Sequence, residues 1–178
     1  AGLFTLDINQ RVEHFIRHQL NARPASLGQY DYPFVLNCSI NEVVCHGMPS
    51  ASQRLQDGDI VNLDITLEQQ GFIADSSKMY LIGQVSAAAQ QLSAVCYQAL
   101  WLGIGAVRPG ARLGDIGFAI EQHARRHGYS VVRDYCGHGI GRLMHEEPQV
   151  LHYGKAGTGL LLKEGMTFTI EPMLNQGS

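Results

Sequence analysis

The sequence predicts an α+β fold made of two α/β halves related by a pseudo-twofold axis. Residues 59–67 alternate between apolar and polar side chains, which is the period of a half-buried strand. Two later segments, 86–102 and 115–127, carry apolar residues at helical spacing instead. A weak internal repeat then relates the first half of the chain, about 1–85, to the second half, about 86–178.

The first half is predicted to contain one helix followed by strands. The helix is capped by Thr5 or Asp7. Its apolar stripe consists of Ile8, Val12, Phe15, Ile16 and Leu20. Strands are predicted over 34–40, 43–46 and 59–67. A turn at Gln70-Gly71 then leads into a strand that runs to about Asp75, and residues 78–82 continue extended.

The second half is predicted to begin with two helices. The first starts at Ser86, and its apolar stripe consists of Leu92, Val95, Cys96, Ala99 and Leu102. The second covers 115–127 and is closed by Gly128. Strands are then predicted over 131–136 and 166–171, on either side of a glycine-rich loop at 137–141.

The internal repeat brings acidic residues of the two halves into correspondence. Segment 2–8 resembles 110–116, and the turn 55–58 resembles 162–165. In each half the turn glycine precedes a strand acid by six residues, and these acids are Asp64 and Glu171. We expect them to face each other across the pseudo-twofold axis. Because the first half continues to Asp75, the repeat predicts a further strand acid after Glu171, which the 178 residues do not include.

The composition excludes several classes of protein. The chain is 45% hydrophobic and 16% charged, with a formal net charge of -3. The charge balance has no basic excess of the kind that nucleic acid binding requires. No apolar stretch approaches the roughly 18 residues of a membrane span. The first residues lack the features of a signal peptide. The four cysteines form no CxxC pair, which argues against a structural zinc site and favours reduced thiols in the cytoplasm.

The candidate metal ligands are Asp64, Asp75, His138 and Glu171. An acid within a strand is costly unless its charge is compensated, and two acids lie eleven residues apart here. Three carboxylates and one imidazole suit divalent Mn, Fe, Co or Zn. Carboxylates can bridge a pair of ions that activates water, which predicts a hydrolase site. A lone strand Asp is more often a solvated residue at a turn, and His138 and Glu171 could be ordinary loop and strand-end residues. The repeat strengthens the assignment of all four as ligands together.

Six of the seven remaining histidines fall into two groups, and the sequence around the seventh, His152, is uninformative. His46 and His145 are candidates for donors to a substrate or a developing oxyanion, or else are ordinary core or surface imidazoles. Two i,i+4 pairs have a zinc-capable spacing without a third ligand nearby in the sequence, and we interpret them as solvated helix faces. These pairs are His14/His18 and His123/His127.

Several stretches together resemble the signature of type I methionine aminopeptidases. They are 39–47, 57–64, 75–79, 135–141, 145–150 and 168–173. The resemblance covers nearly the whole chain and implies one metallopeptidase domain with the pita-bread fold, in which the two halves surround a curved antiparallel sheet. The 33 residues from His138 to Glu171 leave no room for the helical insertion of the type II enzymes.

The resemblance also implies a role for each site residue. Asp64 would chelate one of two divalent ions and Asp75 would bridge both. The other ion would be held by His138 and Glu171, and Glu171 would orient and deprotonate the attacking water. His46 would contact the scissile amide nitrogen and His145 the substrate carbonyl.

The implied reaction is removal of the initiator methionine from nascent proteins. The partner is then a peptide or nascent-chain N-terminus, with the ribosome as a candidate partner. We expect a cytoplasmic monomer that binds neither nucleic acid nor a membrane.

The chain departs from the family at its ends and in its substrate pocket. The family's last metal ligand is a Glu on a strand beyond residue 178, and a helix precedes the equivalent of Gly2. We therefore expect a fragment cut at both ends, or a short relative, with weakened metal binding and little activity by itself. The family typically has Cys, Tyr and Cys at three pocket positions and an aromatic at a fourth, where this chain has Ser26, Gln29, Asn37 and Met144. Tyr32 is retained, so the sequence predicts a more polar methionine pocket.

Two other functions stay open at this point. A prolidase-like pita-bread peptidase is favoured by the polar pocket and opposed by the close match over 41–47. A non-catalytic binding module with the same fold is favoured by the missing ligand. It is opposed by the presence of all six candidate catalytic and metal-binding residues at matching places.

Overall fold

The computed structural model describes residues 1–177. Its helices are α1 (Thr5–His14), α2 (Ala87–Gly105) and α3 (Leu113–Arg126). Its strands are β1 (Arg23–Pro24), β2 (Leu36–Ile40), β3 (Ile60–Gln69), β4 (Phe72–Leu81), β5 (Tyr129–Val131), β6 (Gly137–Gly139), β7 (Glu146–Val150) and β8 (Leu174–Gln176). None of the helices described is long and apolar enough to cross a membrane.

The described residues divide into two compact units. The first unit consists of 1–89 with 142–144, and the second consists of 90–141 with the residues from 145 onward. The pseudo-twofold relation between the two halves stays a prediction.

The first unit is built on a four-stranded antiparallel sheet. The long strand β3 is central, because β1, β2 and β4 all pair with it. The predicted turn at Gln70-Gly71 is confirmed, and its two residues have φ values of 53° and 79°. Left-handed conformations at both positions are typical of a two-residue hairpin turn. This turn fixes the register in which Asp64 pairs with Ser77 and Asp75 with Thr66.

A buried apolar cluster lies on one face of this sheet. Its buried members are Leu36, Cys38, Ile40, Leu55 and Val61. Ile8 and Val12 of α1 pack against the cluster, whereas Phe15 and Leu20 of the predicted apolar stripe are exposed. Removal of this surface from water holds α1 in place.

Two sequence-based predictions for the first unit are wrong. The residue before α1 is Phe4, and neither Thr5 nor Asp7 caps the helix, since the Thr5 hydroxyl donates to the Ser50 carbonyl instead. Residues 43–46 form a loop and not a strand. The loop lies alongside β2 because the Gly47 carbonyl accepts a hydrogen bond from the Cys38 N–H at 2.7 Å.

The second unit is organised by α2 and α3. Their buried residues, with those of β5, β7 and β8, form one apolar core. The prediction that Leu102 faces this core is wrong, because Leu102 is 47% exposed. Gly103 is buried instead, and a Cβ there would come within 2.7 Å of Ile120 Cδ1. A larger residue at position 103 would therefore force the Ile120 side chain to shift.

Two strand predictions for the second unit are wrong, because the predicted strand over 131–136 shares only Val131 with β5 and the predicted loop at 137–141 contains β6. The strands of this unit form two small antiparallel sheets, β5–β8 and β6–β7. Segment 166–171 contains no regular strand and contacts β6 through an isolated bridge between Gly139 and Phe168. The Thr169 N–H nevertheless donates to the His138 carbonyl at 2.8 Å, so the segment runs beside β6.

Candidate metal centre

The first unit presents two carboxylates on one face of the β3–β4 hairpin. Cross-strand partners share a face, and Asp64 is opposite Ser77 while Asp75 is opposite Thr66. The two acids are therefore diagonal neighbours, within reach of each other. Both are half-buried. Because like charges across a sheet repel and partial burial weakens their solvation, this arrangement favours a cation near the two carboxylates.

Asn37 is tied to one of these acids. It lies on β2 directly opposite Asp64, and its Nδ2 donates to Asp64 Oδ2 at 3.2 Å. The sequence indicated only a pocket residue at this position. The hydrogen bond means that Asn37 also restrains the orientation of a candidate metal ligand.

The other predicted pocket residues all lie in the first unit. Ser26 is buried, and its hydroxyl is hydrogen-bonded to the Thr66 hydroxyl. The Tyr32 hydroxyl is 3.0 Å from the Leu36 carbonyl and 3.2 Å from the Gly47 carbonyl. Burial raises the pKa of Tyr32 to about 12, with smaller contributions from the charges of Cys38 and Asp64. Tyr32 is thus a neutral donor near pH 7.

The remaining two pocket candidates, Gln29 and Met144, are half-buried. Their role, and that of the pocket as a whole, stays a prediction.

His46 occupies an exposed position in the loop beside β2. Its φ of 54° is uncommon for a residue other than glycine. Gly47 follows, and a Cβ there would lie 2.2 Å from the Cys38 carbonyl oxygen. The glycine therefore allows this loop to lie against β2 and so determines where His46 is presented.

His138 lies on β6 of the second unit, between two glycines that are tightly packed. A Cβ on Gly137 would lie 2.3 Å from the Thr169 carbonyl oxygen, and one on Gly139 would lie 2.2 Å from that of Glu147. Both positions are close to neighbouring backbone, and this packing holds His138 in place.

The His138 ring faces a carboxylate. Nδ1 is 2.9 Å from the Gly139 carbonyl oxygen and must carry a proton to donate to it. In the neutral ring Nε2 then has the lone pair, and it lies 3.4 Å from Glu171 Oε1. Two acceptor atoms at this distance need a proton or a metal between them. Ligand atoms that are each about 2 Å from one ion have a similar separation.

Thr169 connects the two members of this pair. Its hydroxyl accepts from the His138 N–H at 2.9 Å and donates to Glu171 Oε1 at 2.6 Å. The sequence placed Thr169 on the same strand face as Glu171 but indicated no role. Its position between His138 and Glu171 depends on the pairing of two segments that are distant in the chain.

His152 is a second residue for which the sequence indicated no role. It is fully buried, and its Nε2 accepts from the Glu171 N–H at 3.0 Å. Burial lowers the pKa of His152 to about 4, so the ring is neutral near pH 7. Nothing in the local sequence indicates burial at this position.

His145 completes the group in the second unit. Its ring centroid is 4.5 Å from that of His138, and the two rings meet at 73°. The side chain is exposed. The second unit thus brings together three of the predicted site residues, His138, His145 and Glu171.

The cysteines are not among the potential metal ligands that the described residues bring together. All four are free thiols. Burial raises the pKa of Cys38 and of Cys96 to about 11, so both stay protonated near pH 7 in the metal-free protein.

Comparison with known proteins shows which proteins share this sequence and fold. A family model described as metallopeptidase family M24 matches residues 1–177. The chain is 51% identical over 174 residues to a methionine aminopeptidase of Rickettsia prowazekii, covering 98% of this chain and 66% of that protein. It thus spans about two thirds of the length of this relative.

Solved structures of related proteins share the fold of this chain. The crystal structure of the Rickettsia prowazekii methionine aminopeptidase has a TM-score of 0.97 at 50% identity, over 99% of this chain and 71% of that one. A prolidase from Pyrococcus furiosus has a TM-score of 0.78 at 23% identity, over 96% and 48% of the two chains. At that identity the prolidase supports a common fold alone.

Proposed function

This chain belongs to metallopeptidase family M24, and from that membership we propose that it removes the N-terminal methionine from peptides with a metal-activated water. The resemblance to methionine aminopeptidases and the α+β pita-bread fold are both confirmed. Membership in a metallopeptidase family implies a divalent metal cofactor. The number of ions and the substrate belong to the proposal.

One observation carries this proposal. The lone pair of His138 Nε2 faces Glu171 Oε1 at 3.4 Å, and backbone or side-chain hydrogen bonds hold both groups. An imidazole and a carboxylate held in this way match the donors that catalytic Mn, Fe, Co and Zn prefer. The second unit therefore contains a preformed pair of candidate ligands.

We assign the ligands of a dinuclear centre to four residues. Asp64 and Asp75 are the carboxylates of the first unit, and His138 and Glu171 are the pair of the second. Two divalent ions, of Co, Mn, Fe or Zn, would supply the positive charge that lowers the pKa of water and polarises a carbonyl. The register of the β3–β4 hairpin supports the proposal, because it places two carboxylates on one face.

The proposal also gives a role to three further groups, as the family resemblance implies. Glu171 accepts the proton of the attacking water, and Thr169 holds the carboxylate that does so. His145 donates to the substrate carbonyl, and its contact with the His138 ring supports that assignment. His46 contacts the scissile amide nitrogen.

The substrate in this proposal is a peptide or nascent-chain N-terminus. Its methionine side chain would lie against Tyr32, Gln29 and Met144, with Ser26 and Asn37 behind it. The Ser26 hydroxyl and the Asn37 Nδ2 are already hydrogen-bonded to Thr66 and Asp64. An apolar side chain therefore need not leave them unsatisfied, which supports a preference for methionine. Contact with the ribosome, a cytoplasmic location and the monomeric state stay predictions.

A substrate comparison tests this function. The full-length protein, loaded with Mn²⁺, is incubated separately with Met-Ala-Ser, Leu-Ala-Ser and Xaa-Pro dipeptides, and the free amino acid is quantified. We expect release of methionine from Met-Ala-Ser and little release from the other two. Preferential cleavage of Xaa-Pro would instead establish the prolidase-like function. A protein that binds Mn²⁺ but cleaves none of the peptides would be a non-catalytic binding module.

A further inference from the structure

His152 is an unusual residue for the interior of the second unit. It is fully buried, just after the end of β7 at Val150. Nε2 accepts a hydrogen bond from the Glu171 N–H, so the proton of the neutral ring must be on Nδ1. Within residues 1–177 this buried Nδ1 has no hydrogen-bond partner. An unsatisfied buried donor is destabilising, so packing alone would favour an apolar side chain here.

The hydrogen bond to Nε2 gives His152 a structural role at the Glu171 backbone. Glu171 lies in a segment without regular strand pairing, and the following Pro172 has no N–H to anchor the chain. The imidazole of His152 supplies the acceptor that a neighbouring strand would otherwise provide. The backbone at Glu171 is therefore fixed by a side chain from another segment.

Two further contacts hold the same segment. Thr169 donates to the Glu171 carboxylate, and the Cys96 thiol donates to the Pro172 carbonyl at 3.2 Å. Together with His152, these contacts fix the segment before, at and after Glu171. Of these three contacts, the one from His152 acts on the backbone of Glu171 itself, which determines the point from which the carboxylate reaches towards His138.

We propose that His152 is a positioning residue that orients Glu171, and that the hydrogen bond from the Glu171 N–H to its Nε2 increases the affinity of the His138–Glu171 pair for a divalent metal. The inference rests on the proposed metal site. His152 acts through Glu171 and contacts neither metal nor substrate. Residues that orient metal ligands typically change metal affinity by about 10–100-fold when replaced.

The test uses substitutions of similar size that keep or remove the acceptor. His152→Gln retains an oxygen near the position of Nε2, whereas His152→Met fills the same space without an acceptor. Mn²⁺ affinity of the metal-free full-length protein is measured by calorimetry, and the thermal midpoint in chelator is recorded for each variant. We expect His152→Met to bind Mn²⁺ about 10–100-fold more weakly and His152→Gln to stay within about threefold of wild type.

A matched control and a second measurement separate positioning from folding. His127→Gln changes an exposed histidine at the end of α3 and should leave Mn²⁺ affinity unchanged. If His152→Met fails to fold, His152→Asn retains polarity but is too short to reach the Glu171 N–H, and it should show the loss. Nitrogen NMR of the wild-type ring should find the proton on Nδ1.

Three results would overturn the inference. Equal Mn²⁺ affinity in wild type and the variant that lacks the acceptor would refute positioning while leaving the proposed function intact. A proton on His152 Nε2 in the metal-free protein would do the same, since that atom could not then accept. Absence of Mn²⁺ binding by wild type would refute both the inference and the proposed metal site.

Discussion

Replacement of Glu171 by Gln is expected to reduce kcat/KM for Met-Ala-Ser by about 100- to 10,000-fold, which is the usual contribution of a general base. Glutamine has nearly the same shape, and its carbonyl oxygen still accepts the hydrogen bond from Thr169. The fold should therefore be retained, while the negative charge and the proton acceptor are lost. Steady-state kinetics on Mn²⁺-loaded protein measure the effect.

The control for this substitution is Glu164→Gln. Glu164 is an exposed acid seven residues earlier in the chain, so it carries the same change in charge without any assigned role. We expect wild-type kinetics for it. Full activity of Glu171→Gln, with the control also active, would contradict the assignment of Glu171 as the base.

Replacement of Asp75 by Asn is expected to lower stability only when metal is present. In the metal-free protein it removes one of the acidic charges on the β3–β4 hairpin, so the free energy of unfolding should stay the same or increase. In excess Mn²⁺ the variant should be stabilised less than wild type. Loss of a direct ligand should weaken Mn²⁺ affinity by at least the roughly 100-fold that follows replacement of residues that orient metal ligands. Thermal midpoints in chelator and in excess Mn²⁺ measure both effects.

Glu13→Gln serves as the matched control in the first unit. It removes a carboxylate from an exposed i,i+4 pair with Arg17, and such pairs contribute only a few tenths of a kcal/mol. Its midpoints should follow those of wild type in both conditions. If Asp75→Asn gained as much stability from Mn²⁺ as wild type does, Asp75 would not be a ligand.

The elements that the sequence predicted correctly are those with local causes. The turn at Gln70-Gly71 has residues that tolerate positive φ, and the alternation after Asp59 has the period of β3. The start of α2 follows from the Ser86 hydroxyl, which accepts from the Ala89 N–H. These features depend on neighbours within a few residues, so the printed sequence contains the relevant information.

The elements that it missed depend on distant contacts. Segment 43–46 has strand-like residues, but the hydrogen bond from the Cys38 N–H to the Gly47 carbonyl holds it as a loop. Segment 166–171 alternates as a strand would, yet its pairing with β6 is limited to an isolated bridge. Residue types alone do not show which partner strand is available or how far the pairing extends.

The candidate site likewise contains residues that the sequence could indicate and residues that it could not. Its acids could be proposed from their positions in strand-like sequence and from the repeat, because a charged residue in apolar surroundings is conspicuous. Thr169 and His152 could not be assigned roles. Their hydrogen bonds to Glu171 depend on burial and on chain segments brought together by folding.

The most direct test of the account is the dependence of methionine release on a metal held by these residues. The full-length protein is stripped with chelator, Mn²⁺ is added back in steps, and free methionine from Met-Ala-Ser is measured for wild type and His138→Ala. We predict no release without metal, recovery in wild type as Mn²⁺ is restored, and no recovery in His138→Ala at the same Mn²⁺ concentrations. Methionine release that persists in chelator, or equal recovery in both proteins, would contradict the proposed metal-dependent aminopeptidase.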